Sequence, residues 1–177
     1  VHVTPSQVSC DDSWEAAYKR FETPQEEVAK FRTRLRWFGA HQWDRNLSVV
    51  ELFCGRGNAL VAWRQLGFKN LEGVDLSASL LEEYKGPARC YVADCRTLPF
   101  ETSSRDVLAV HGGLHHLPDL LTDLEQTLNE VRRVLKPGGQ FVVVEPWNTP
   151  FLELVHTAAA NPLVRKASGK FDAFQQL

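Results

Sequence analysis

The chain has 177 residues, 44% hydrophobic and 24% charged, enough for one soluble α/β-sized domain with a buried core and too few for two full domains. Twenty Lys and Arg against 22 Asp and Glu leave a net charge of −2, so the basic excess needed for nonspecific binding to nucleic acid or to an anionic membrane is missing. No stretch approaches the roughly 18 continuous apolar residues of a membrane span, and residues 1–20 lack the layout of a secretory signal, so a cytoplasmic protein is expected.

In chain order, Asp12 or Ser13 and then Thr23-Pro24 supply N-cap and N1 chemistry for two helices, Asp11–Arg20 and Pro24–Phe38. Trp14, Tyr18 and Phe21 recur at helical spacing and form either a core-packing stripe or part of a lid over a ligand. Arg32, Arg34 and Arg36 make a solvated or salt-bridged helix face. From residue 46 to about 147, short apolar strands alternate with helices. The strands fall at Leu47–Phe53, Leu71–Val74, Cys90–Ala93, Val107–Val110 and Gln140–Glu145, and the helices at Ala59–Leu66, Ala78–Tyr84 and Leu120–Leu135. Near-continuous aliphatic runs suit parallel strands covered on both faces, which predicts a doubly wound α/β sheet. In the last helix Leu120, Leu121, Leu124, Leu128, Val131, Val134 and Leu135 form an apolar stripe, ended by Lys136-Pro137-Gly138-Gly139. Beyond Trp147, which lines a pocket or packs on the sheet edge, helices are expected around Phe151–Ala160 and Val164–Phe174.

Chemistry concentrates at the carboxyl ends of these strands, where open α/β sheets bind ligands. Gly55-Arg56-Gly57 lies between the first strand and its helix. Alone it suits a tight turn as well as a close-approaching ligand. Leu60 stands where a dinucleotide fingerprint needs its third glycine, and no Gly-Lys-Ser/Thr occurs. Glu51, at the mouth of the loop, would repel a pyrophosphate and attract an ammonium group. Asp75 ends the second strand, placed to accept two ribose hydroxyls or to cap the helix starting near Ser77. Asp94, at the end of the third, can take an exocyclic amine or form a turn. His111 ends the fourth strand before two glycines, and histidine is the side chain suited to proton transfer near neutrality; a buried hydrogen-bonded imidazole is the alternative. His111, His115 and His116 lack a carboxylate or thiol at ligand spacing, so no metal is expected. Cys10, Cys54, Cys90 and Cys95 are too sparse for a disulfide framework and are expected reduced.

Five segments together carry a family resemblance: Val49 to Asn58, Gly73-Val74-Asp75-Leu76-Ser77, Ala93 to Phe100, Leu114-His115-His116-Leu117-Pro118-Asp119, and Leu135 to Gln140. In this order and spacing the sequence resembles a class I S-adenosylmethionine-dependent methyltransferase, of the type-11-like small-molecule kind, over about residues 46–147. The resemblance implies a Rossmann-like sheet of order 3-2-1-4-5 and S-adenosyl-L-methionine as cofactor. It implies that Glu51, Cys54 and the Gly55–Gly57 backbone border the methionine end and that Asp75 holds the ribose. Leu76, Asp94 and Cys95 would frame adenine, and the backbone of Val110 to Gly112 would meet the methionine ammonium. Three departures stand out. Phe53 replaces the first glycine of the loop, His111-Gly112-Gly113 replaces a small polar strand end, and the family's final strand pair has no counterpart after Trp147.

The expected function is methyl transfer from S-adenosylmethionine to a small-molecule nucleophile, with His111 as candidate base and neither nucleic acid nor membrane as partner. Residues 1–45 are expected to form a helical lid, 46–147 the cofactor-binding core and 148–177 a helical tail, all in one domain. The rivals are a nicotinamide oxidoreductase, disfavoured by Leu60 and Glu51, and a catalytically silent S-adenosylmethionine-binding domain acting with a partner.

Overall fold

The structure, a computed structural model, describes residues 2–3 and 23–146. The described strands and the site belong to one compact unit that includes residues 28–145. The helix expected at 11–20 with its aromatic stripe, Trp147, and the helices expected at 151–160 and 164–174 lie outside the described residues.

Helix α1 (Pro24–Trp37) starts on a capping box in which the Glu26 N–H donates to Thr23 Oγ1 at 3.3 Å and the Thr23 N–H to Glu26 Oε2 at 2.9 Å. There follow β2 (Ser48–Leu52), α2 (Asn58–Gln65), β3 (Asn70–Asp75), α3 (Ala78–Glu83), β4 (Arg89–Val92), β5 (Arg105–His111), α4 (Leu120–Val134) and β6 (Leu135–Val144), after a two-residue β1 (His2–Val3). All strand pairs are parallel and the sheet order is β1-β4-β3-β2-β5-β6. The five expected strands thus lie in the order 3-2-1-4-5. The edge strand β1, pairing His2 with Tyr91 and Val3 with Val92, was not legible because two residues carry no periodicity.

Successive side chains of β2 and β5 point to opposite faces. Val49, Val107 and Ala109 meet Trp63 and Leu60 of α2 together with Phe31 and Leu35 of α1, whereas Val50, Leu52, Leu108 and Val110 meet Val131 and Val134 of α4. Each such aliphatic side chain contributes about 1.5–3 kcal/mol on burial. Two cores, one on each face, explain why consecutive residues such as Val49-Val50 and Val107 to Val110 are apolar.

Two expectations need correction. The buried face of α4 runs through Asp123, Thr127, Val131 and Val134, and Leu121 is 83% exposed. The helix is rotated from its leucine stripe because Asp123 is held inward by Arg96 and by the Asp119 N–H. In addition, β6 begins directly after α4: Arg105 pairs with Leu135 and Val107 with Gln140, and Lys136 to Gly139 bulge between these two points. Among the described residues no helix is long and apolar enough to cross a membrane.

Candidate functional site

The carboxyl ends of β2, β3, β4 and β5 bring the expected site residues to one edge, with the crevice between β2 and β5 at the point where the strand order reverses. The loop Phe53–Gly57 closes on itself through Gly57 N–H to Cys54 O at 2.8 Å and is tied to β3 through Cys54 N–H to Val74 O at 3.1 Å. Gly57 takes a φ of +79°, and a Cβ there would lie 2.3 Å from the Tyr84 ring, so no other residue fits. Phe53, which stands where a glycine is usual, adopts φ +54°, the left-handed region that glycine favours. Its ring lies on Gly113, where a Cβ would come within 2.3 Å of Phe53 Cγ. Two of the departures from the family pattern are therefore one packing arrangement: the phenyl ring in the first loop needs the bare backbone in the second.

Asp75 bridges these segments. Its Oδ2 accepts the Gly55 N–H at 2.7 Å and its Oδ1 the Ser77 N–H at 2.8 Å. Ser77, not Asp75, caps α3, with Oγ accepting from the Leu80 N–H at 3.0 Å. Asp75 and Leu76 are half-buried at the end of the strand.

Of the two roles open to Asp94, an amine acceptor or a turn, the structure shows the turn, and the carboxylate is clamped. Arg96 donates from Nε at 3.0 and 3.1 Å and from Nη2 at 2.6 Å, while its Nη1 reaches Asp123 at 2.6 Å and its backbone N–H closes a turn onto Asp94 at 2.8 Å. Burial opposes ionisation of Asp94, but the Arg96 guanidinium and amide outweigh it and hold the carboxyl below its ordinary range. The sequence reading missed this Asp94–Arg96–Asp123 bridge, whose ends lie far apart in the chain. The side chain of Cys95 is occupied likewise: its Sγ is 3.5 Å from Thr127 Oγ1, and burial pushes the thiol up to about 11. The Cys54 thiol, against that of Cys90, is pushed well above its ordinary value by that contact and by burial.

Glu51 was expected to offer its carboxylate to a ligand. It is 1% exposed and both oxygens are taken: Oε2 accepts the Trp63 indole N–H at 2.9 Å and Oε1 lies 2.7 Å from His111 Nδ1. The His111 side chain is 2% exposed, with Phe31 of α1 tilted over the ring at 5.0 Å. Its Nε2 is buried and has no hydrogen-bond partner among the described residues. The next residues are fixed from β6. Gly112 N–H donates to Val144 O at 2.7 Å, Gly113 and Leu114 both donate to Glu145 Oε1 at 2.8 Å, and His115 Nδ1 lies 2.5 Å from Glu145 Oε2. Glu145 went unnoticed because it reads as the end of an apolar strand. Among the described residues no three His, Cys, Asp or Glu side chains gather as a metal site.

The sequence profile of the methyltransferase domain matches residues 50–143, more than half of the chain. The chain belongs to this methyltransferase family. It is 34% identical over 122 residues to a 2-phytyl-1,4-naphtoquinone methyltransferase of Trichormus variabilis, covering 63% of this chain and 50% of that protein. It is 29% identical over 139 residues to the sterol 4-C-methyltransferase strm-1 of Caenorhabditis elegans, covering 71% and 40%. The chain thus spans half or less of the length of these two relatives. The PH0226 protein of Pyrococcus horikoshii has the same fold, with a TM-score of 0.69 at 24% identity over 84% of this chain and 68% of that one.

Family membership implies S-adenosylmethionine as methyl donor, and the residues present fit it. The fit rests on a glycine loop with no side chain at Gly55 and Gly57, a half-buried carboxylate at the end of β3, and a buried ring nitrogen at the end of β5, His111 Nε2, with no hydrogen-bond partner among the described residues. A nicotinamide cofactor fits less well, because the third glycine of a dinucleotide fingerprint, which lets helix and strand pack closely, is replaced by Leu60, buried in the core.

Proposed function

We propose that the chain transfers the methyl group of S-adenosylmethionine to a small-molecule nucleophile, and that His111 takes the acceptor's proton. The observation that carries this reading is the buried, unpartnered Nε2 of His111 at the reversal point of the sheet, beside a glycine loop tied to the Asp75 carboxylate. When bound, the cofactor supplies an electrophilic methyl on a sulfonium. The work left to the chain is binding, alignment and exclusion of water, which account for most of the acceleration in such a displacement.

In this reading Asp75 receives the ribose hydroxyls and holds the glycine loop at the same time. The backbone of Val110 to Gly112 meets the ammonium end. Cys54, Gly55 and Gly57 border the methionine portion with Glu51 beneath them, and Leu76, Asp94 and Cys95 frame the base, Asp94 through the turn it anchors rather than through a free carboxylate. Phe31 covers the imidazole, so acceptor access requires this side chain to swing aside. Relatives named for a sterol and for a naphtoquinone support a small-molecule acceptor. The net charge of −2 supports neither nucleic acid nor membrane as partner.

The test is a thermal-shift titration followed by transfer of labelled methyl to candidate acceptors. At a hundred times its dissociation constant, S-adenosylmethionine adds about 2.7 kcal/mol, which for a chain of this size is about 5–11 °C. A shift with NAD instead would favour the oxidoreductase, and cofactor binding without turnover on any acceptor would favour the silent binding domain.

A further inference from the structure

We infer that Glu51 is a positioning residue for His111: pinned by the Trp63 indole, its carboxylate receives the Nδ1 proton and keeps the imidazole in the tautomer whose Nε2 lone pair is bare. The inference rests on the role proposed for His111 above and assigns to Glu51 a task other than contact with a ligand.

The geometry leaves little choice. Glu51 and Ala109 are partners across β2 and β5, and His111 lies two residues beyond Ala109, so the two side chains stand on the same face of adjacent strands. The indole N–H is a donor only and occupies Oε2 at 2.9 Å. This turns Oε1 toward Nδ1 at 2.7 Å. An ionised carboxylate accepts and cannot donate, so the proton of a neutral imidazole facing it sits on Nδ1. The three side chains are 0–2% exposed, so no bulk water competes for these bonds. The arrangement leaves one buried ring nitrogen without a donor, and buried polar atoms are rarely left so without a task. If Glu51 served only to satisfy Trp63, the tautomer of His111 would be immaterial.

Exchanging the carboxylate for an amide separates these roles. In Glu51→Gln the indole N–H still needs an acceptor and takes the amide oxygen, which turns the amide NH₂ toward Nδ1. Nδ1 then has to accept, and the proton moves to Nε2. The experiment uses the whole protein labelled with ¹⁵N-histidine. Ring-nitrogen resonances are assigned with His111→Gln and recorded where the imidazole is neutral, and melting curves check the fold. The parent should show a protonated Nδ1 and a bare Nε2, and Glu51→Gln the reverse, with kcat for methyl transfer lower by about 10²–10⁴-fold and KM for S-adenosylmethionine unchanged. A parent protonated on Nε2 overturns the inference even if Glu51→Gln does not fold. So does Glu51→Gln with an unshifted tautomer, or with an inverted tautomer and undiminished kcat. A parent that binds S-adenosylmethionine yet methylates no acceptor would defeat the proposed function, while the tautomer measurement, which needs no substrate, still decides the role of Glu51.

Discussion

Replacing Gly113 by alanine puts the contact between the two ligand-edge loops under direct strain. Gly113, at φ −167° and ψ −33°, lies outside the left-handed region that favours glycine. The difficulty is space: the added Cβ would lie 2.3 Å from Phe53 Cγ and 2.6 Å from both Phe53 Cβ and Cδ2, whereas carbon atoms settle at about 3.5–4.0 Å. Because Phe53 Cβ is among the clashing atoms, rotating the ring cannot clear them and the backbone of one loop must shift by about 1 Å. Such overpacking costs about 1–3 kcal/mol, equivalent to about 2–12 °C in a chain of this length. Phe53→Gly removes the obstacle and the left-handed strain, worth about 1–2 kcal/mol, in exchange for a half-buried ring. In that background Gly113→Ala should cost less than in the parent, giving a coupling of about 0.5–3 kcal/mol in a double-mutant cycle of urea unfolding. Equal losses in the parent and in the Phe53→Gly background would refute the claim that the two residues form one arrangement.

Asp75→Ala should weaken S-adenosylmethionine binding at least about tenfold by calorimetry, since hydrogen bonds to a charged group contribute about 1.5–3 kcal/mol each. Unchanged affinity would confine Asp75 to its bonds with Gly55 and Ser77. His111→Ala should keep cofactor affinity within about tenfold and lower turnover by about 10²–10⁴; normal turnover would leave the imidazole structural. Acid should expose the bridge between β2, β5 and β6. Burial opposes ionisation of Asp106, but Lys136 Nζ at 2.7 Å and the Ser48 amide and hydroxyl at 2.8 and 2.6 Å prevail and bring its carboxyl down to about 2. An unfolded Asp titrates near about 3.9, so the contribution of Asp106 is complete above that pH and lost as pH falls through about 2. The stability gap between the parent and Asp106→Asn should accordingly narrow between about pH 4 and pH 2; a gap constant over that range would show that Asp106 acts through packing alone.

The sheet was legible because each strand carries its own evidence. Five short aliphatic runs bounded by glycine, proline and aspartate give five of the six strands of the described sheet, and their double-sided burial gives parallel pairing. The side-chain partners were not legible in the same way, because each depends on a register or a helix rotation that no local pattern encodes. The leucines of α4 form a regular stripe, yet the helix turns Thr127 and Asp123 inward because Arg96, fixed between Asp94 and Asp123, outweighs exposed leucine side chains. Glu145 is the last residue of an apolar run, and only the pairing of β6 with β5 brings it beneath the Gly113 and Leu114 amides.

Glu51 is the sharpest instance. In the sequence it is a charge beside a glycine loop, and Coulomb's law alone makes it a partner for a cation. Placing it correctly requires three facts with no local signature: that β2 and β5 are neighbours, that Glu51 and Ala109 are in register, and that α2 lays Trp63 on the same face. Together they place the carboxylate in the core, with the Trp63 indole N–H at 2.9 Å and His111 Nδ1 at 2.7 Å. The charge stays within the fold, and what reaches the ligand edge is its effect on His111. Family motifs locate the edge where chemistry happens. The long-range pairing of β2 with β5 decides which atom of that edge is presented.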